Sequence, residues 1–161
     1  MFAEWLAGLE ASAFARQLRG SVWAYPLVNA GHIAGIALLV GSIIPLDLRV
    51  LGAWRSVPLG PLWRVLTRTA GAGLALAIAC GSLLFITRAT EYANSSFFVS
   101  KMIVVGVASA NAFALHALGA SRLAPMRSAV DHPPTRMRIA AGVSLVAWLS
   151  ALTLGRLVGY F

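Results

Sequence analysis

The chain has 161 residues, 59% of them hydrophobic and only 11% charged, with a net charge of +8. A soluble domain carries roughly a quarter charged residues, so there is too little polar surface here to clothe a globule in water. That balance, with a mean hydropathy of +0.80, excludes a soluble enzyme. It points to a single membrane domain over residues 1–161 whose apolar surface meets the lipid bilayer.

The N-terminal run MFAEWLAGLEASAFARQLRG lacks the basic start and unbroken apolar core of a signal peptide. Phe2, Trp5, Leu6, Leu9 and Ala13 recur at helical spacing, with Glu10, Arg16 and Gln17 among the polar positions. This predicts an interfacial amphipathic helix over residues 1–20.

Four apolar stretches then reach the ~20 residues a spanning helix needs. They run over about 22–46 (or on to Leu51), 62–87, 97–119 and 139–159. Pro26 falls in the first turn of the first stretch, where a missing N–H matters little, and Pro45 marks its far end. The connectors are residues 47–61, the polar turn RATEYANSS at 88–96, and the proline-bearing loop 120–138. Short connectors make successive helices antiparallel neighbours. The expected fold is all-α, a four-transmembrane-helix bundle preceded by the interfacial helix.

The basic residues lie in the gaps between these stretches, with no aromatic-interleaved patch, so they read as topology signals rather than as a nucleic-acid surface. Arg49, Arg55, Arg64, Arg68, Arg122, Arg127, Arg136 and Arg138 share one side; Arg16, Arg19, Arg88, Lys101 and Arg156 share the other, with Glu4, Glu10 and Glu91. The positive-inside rule puts the arginine-rich side in the cytoplasm. The chain is then a multi-pass protein of a bacterial inner membrane with both termini on the periplasmic side. Trp23, Tyr92, Phe97, Phe98, Tyr160 and Phe161 form the expected outer aromatic belt, and Trp54 and Trp63 the inner one.

Residues 48–58, LRVLGAWRSVP, and 115–125, LHALGASRLAP, coincide at six of eleven positions, and Ser42 and Ser109 share the same offset. This suggests two duplicated helical hairpins related by an axis along the membrane normal.

Polar residues inside spanning segments are functional candidates because burying them in lipid is unfavourable. His32 and Asn29 lie in the first stretch, Lys101, Asn111 and His116 in the third, and Asp47 and Arg49 close the first. Lys101, Val105, Ser109, Ala112 and His116 share a helix face lined between its ends by small residues, a packing surface or a place for a flat cofactor. Two histidines on two helices invite a bis-histidine haem b, but counting turns puts His32 and His116 at depths differing by roughly 12 Å, or roughly 25 Å if the repeat sets the register. Two clusters follow instead. Toward the outer side, His32, Asn29, Arg88, Glu91, Lys101 and Met102 converge, with His32 and Met102 as an axial pair for haem or a soft-leaning copper site. Glu91 there is expected to pair with Arg88 or Lys101. Toward the inner side, His116 meets Asp47, Arg49 and Arg68, where an ion-pair network pinning the helix ends is the expectation. His132, in the long loop, could partner only His116.

Cys80 is the single cysteine, which rules out an internal disulfide and suits small-residue packing. HExxH, GxSxG, Walker-type and GxGxxG patterns are absent, so no catalytic residue is assigned and the chain reads as a non-enzyme.

The run PLVNAGHIAGIALLVGSIIPLDLRVLG resembles the first helix of a family of small bacterial four-helix membrane proteins of uncharacterised function. FFVSKMIVVGVASANAFALHALG looks like its third, with a lysine near the start and an Asn-to-His ending. The likeness runs from Trp23 onward and implies the fold without an activity. The His32 helix is also loosely similar to those of copper-resistance D-type membrane domains, a likeness that implies a copper role through His32 alone.

Three functions remain in view: an accessory or structural subunit docked on a membrane-protein partner, a haem b or copper protein using His32, and a small homo-oligomeric transporter or channel drawing an anion with Lys101 and Arg88.

Overall fold

The structure is a computed structural model describing residues 1–122 and 133–160. Among these the chain forms helices only: α1 (Phe2–Glu10), α2 (Ala13–Gly20), α3 (Ala24–Leu51), α4 (Leu59–Thr87), α5 (Ala89–Asn94), α6 (Ser96–Arg122) and α7 (Thr135–Leu157). Helices α3, α4, α6 and α7 are long and apolar enough to cross a membrane. The chain is therefore an all-α, multi-pass integral membrane protein.

In lipid the apolar side chains gain little by leaving solvent for a neighbour, so close packing and interhelical hydrogen bonds hold such bundles together. The tightest packing joins α3 to α4. A Cβ added at Gly35 would lie 2.6 Å from the Ala77 backbone nitrogen and 2.8 Å from the Gly73 carbonyl oxygen. One at Gly73 would lie 2.5 Å from the Leu39 nitrogen and 2.7 Å from the Gly35 carbonyl oxygen. Only hydrogen fits at either place, so the two backbones touch.

Helices α6 and α7 form a second close pair, and α3 joins the pairs by packing on α7. Two apolar clusters fill the interior. One gathers Leu39, Ile43, Ala70, Ala108, Trp148 and Ala151; the other gathers Leu46, Val50, Leu59, Trp63, Leu115, Met137 and Ala141 nearer the arginine-rich end. A two-fold relating the hairpins would require an α4–α6 interface matching the α3–α7 one, and no comparable interface exists among the described residues. The repeated segments also differ locally. Gly52 ends α3 in the left-handed region at φ 119°, with the Gly52 and Ala53 N–H groups returning to Leu48 in a Schellman-like close. Its counterpart Gly119 lies inside α6, and the second copy continues past Arg122 beyond the described residues, where Arg127 and His132 also fall.

Several boundaries differ from the sequence reading, each for a packing reason. Helix α3 passes through Pro45 and takes the longer of its two expected ends, Leu51, because Leu46 and Val50 are buried in the second cluster. Helix α7 starts at Thr135, directly after Pro134, and so brings Met137 and Ala141 into the same cluster. RATEYANSS is not a plain turn but carries the short α5. The N-terminal segment is two helices: the Ser12 side chain accepts a hydrogen bond from the Ala15 N–H and starts α2.

Helices α1 and α2 are tied to the α4–α5 corner. Arg19 donates to the Thr87 carbonyl at 2.9 Å and pairs with Glu10 at 3.5 Å, and Glu10 in turn accepts from the Thr90 N–H at 3.3 Å. Leu6, Ala15 and Leu18 are buried beneath this clamp, while Trp5 and Phe14 stay exposed. This end is called the capped end below.

Candidate functional site

His32 lies on α3 between the glycine crossing and the capped end. Its ring packs on Gly81, where an added Cβ would lie 2.9 Å from the imidazole Cε1. Its Nδ1 is 2.8 Å from the Ala77 carbonyl oxygen. A carbonyl can only accept, so Nδ1 carries the hydrogen and Nε2 of the neutral ring is left as an acceptor. One residue earlier, an added Cβ at Gly31 would lie 2.9 Å from Cys80 Sγ, which makes Cys80 a packing group in the same seam.

Lys101 is half-buried on α6. Its ammonium sits 5.7 Å from the centroid of the Phe98 ring, and its methylenes run against Gly155 of α7. Arg88 and Glu91 form an exposed ion pair at 3.3 Å. Asn29 is exposed and Met102, at 49%, likewise faces outward. Of the predicted cluster, the structure thus joins Arg88 to Glu91, while His32 is bonded to a backbone carbonyl.

Aromatic rings close the bundle above this point. Phe85, Tyr92 and Phe98 stack on one another with centroids 5.3 to 6.3 Å apart, bridging α4, α5 and α6. Burial there pushes the Tyr92 phenol above its ordinary value; Tyr25 and Glu91 add to the rise and Arg88 opposes it.

At the arginine-rich end the groups are separately held. Arg49, 2% exposed, donates from Nε to the Val57 carbonyl at 2.8 Å and from Nη2 to the Arg55 carbonyl at 3.3 Å. Asp47, also 2% exposed, is hydrogen-bonded by the Ser144 hydroxyl of α7, and its Oδ2 has no partner among the described residues. Arg68 and His116 are exposed. Ion pairs among these four are absent from the described residues, so backbone carbonyls and a serine replace the expected network. Counting from His32 to Leu46, a cluster neighbour of Leu115, puts His32 and the His116 turn about 20 Å apart in depth.

Nothing matches the chain among protein-family models, curated proteins or solved structures. Its chemistry therefore rests on its own geometry. Three or more His, Cys, Asp or Glu side chains placed to hold one metal ion are not found among the described residues.

Sequence reasoning passed over Ser144 and Trp148. Both are buried, one helical turn apart on the α7 face that meets α3, and the Trp148 indole N–H has no partner among the described residues. Serine and tryptophan carry no spacing signal of their own. Asn111, by contrast, was visible as a polar residue in a span, and it donates to the Ala140 carbonyl of α7 at 3.0 Å.

Proposed function

We propose that this chain is a non-catalytic accessory subunit of a membrane complex, a member of the small four-helix group it resembles. The arginine distribution supports an inner-membrane setting with the capped end outside. The observation that carries the reading is the hydrogen bond from His32 to the Ala77 carbonyl across the α3–α4 seam. It belongs to a pattern: Asn111 bonds α6 to α7, Ser144 bonds α7 to Asp47 of α3, and Arg49 closes the α3–α4 turn. Polar groups in the spans join helix to helix. The apolar outer faces, with Ile103, Val107, Ile139 and Val146 exposed, are left for lipid and for a neighbouring membrane protein.

One observation favours a second reading, a haem b or copper site. A ligating histidine commonly donates its other ring nitrogen to a carbonyl, and His32 Nε2 is left free in that way. Purification from the native host in mild detergent separates the two. The subunit reading expects a colourless protein without stoichiometric copper that brings one membrane partner with it, and His32→Ala lowers stability while the partner stays bound. A haem band or one copper per chain, lost in His32→Ala, would establish the second reading in its place.

A further inference from the structure

Between α3 and α7 lie two buried polar atoms of opposite need. Asp47 Oδ2 is an acceptor without a donor, and Trp148 Nε1–H is a donor without an acceptor, among the described residues. Their residues are 2% and 3% exposed. The Asp47 carboxyl is hydrogen-bonded to Ser144, and Trp148 stands one turn from Ser144 on the same face of α7, about 6 Å along that helix. Trp148 shares an apolar cluster with Ile43, which is itself one turn from Asp47 on α3. Both residues therefore belong to one short stretch of the seam that joins the two helix pairs.

The chemistry of the two atoms selects what lies between them. A cation would satisfy the carboxyl oxygen and be repelled by the indole N–H. An anion would satisfy the indole and be repelled by the carboxyl. A small neutral molecule that donates and accepts at once suits both. We propose that Asp47 and Trp148 hold a single water molecule between α3 and α7, donating to Asp47 Oδ2 and accepting from Trp148 Nε1–H. Buried waters occur where otherwise unsatisfied polar groups face one another, typically with about three hydrogen bonds each. Leaving either group bare in the interior is unfavourable, and one ordered water satisfies both for a smaller loss of entropy. The site also lies at the α3–α7 contact between the hairpins, where a water is held by side chains of both.

Proton NMR of the full chain, with tryptophan labelled at the indole nitrogen and held in lipid nanodiscs, tests this. The Trp148 signal is identified by its loss in Trp148→Phe, with the other four tryptophan signals reporting that the fold is intact. The expected result is a cross-peak between the Trp148 indole proton and water, of opposite sign in laboratory-frame and rotating-frame experiments, as a long-held water gives. It should persist in Ser144→Ala. A dry indole proton with no such peak overturns the proposal. So does a peak that vanishes in Ser144→Ala, because the serine hydroxyl then carried the exchange, or an indole shift that tracks Asp47→Asn without any water peak, which means direct contact.

Discussion

Gly35 and Gly73 face each other so closely that a Cβ on either would come within 2.8 Å of the other's carbonyl oxygen. Gly35→Ala or Gly73→Ala must push α3 and α4 apart, because the atoms met are backbone and cannot rotate away. The expected loss is about 1–3 kcal/mol, the usual range for overpacking. Gly41→Ala and Gly71→Ala serve as controls: nothing lies within 4 Å of a Cβ there, and alanine is the better helix former. Detergent unfolding curves should show two destabilised variants and two controls at or slightly above the parent.

Arg19 is the centre of the capped end, bonded to the Thr87 carbonyl and paired with Glu10. Arg19→Ala removes the bond from α2 to the α4–α5 corner and frees Glu10 of α1 from its cation. The pair is partly exposed, so the effect on global stability should stay within about 1 kcal/mol. Local opening should be larger. The Thr90 amide, which donates to Glu10, should exchange its hydrogen several-fold faster in Arg19→Ala and in Glu10→Ala. Unchanged exchange in both would mean that the buried Leu6, Ala15 and Leu18 hold the cap without the clamp.

Arg49 stands buried with carbonyls of the 52–58 turn as its partners. A planar fork is needed to reach Val57 through Nε and Arg55 through Nη2, and lysine, a single point donor, cannot reproduce it. Arg49→Lys should lose about 1.5–3 kcal/mol, the range for one hydrogen bond to a charged group, and Arg49→Met should lose more. Proteolysis within residues 52–58 should accelerate in both. Equal cleavage of parent and variants would show that Gly52 and its backbone bonds set the turn alone.

The four spans were legible in the sequence because length and hydropathy decide them, whatever packs on what. The Arg88–Glu91 pair was legible because it is local. What lay hidden depended on which faces meet. Gly35 and Gly73 look like any other glycines until α3 and α4 cross at them. Asp47 and Arg49 suggested mutual pairing, yet two residues apart on a helix they point to different faces, one to Ser144 and the other to the turn. The repeat drew an expected two-fold, but symmetry is carried by interfaces, and the α3–α7 contact has no α4–α6 equivalent among the described residues. The break at Ser12 was available as an N-cap signal and was outweighed by the apolar periodicity around it.

Tyr92 gives the capped end a pH dependence of definite sign. Its phenol titrates above the ordinary value of 10.0 because burial between Phe85 and Phe98 disfavours the phenolate, with Tyr25 and Glu91 adding and Arg88 opposing. A group whose folded pKa is raised contributes stability that is fully present below the unfolded value and lost as pH climbs through the folded one. The aromatic closure should therefore be intact at neutral pH and weaken above about pH 10. Tyr92→Phe keeps the stack and removes the ionising group. Unfolding measured from pH 8 to 11 should fall more steeply in the parent than in Tyr92→Phe. Parallel curves would mean that the phenol reaches solvent and that the stack does not close this end of the bundle.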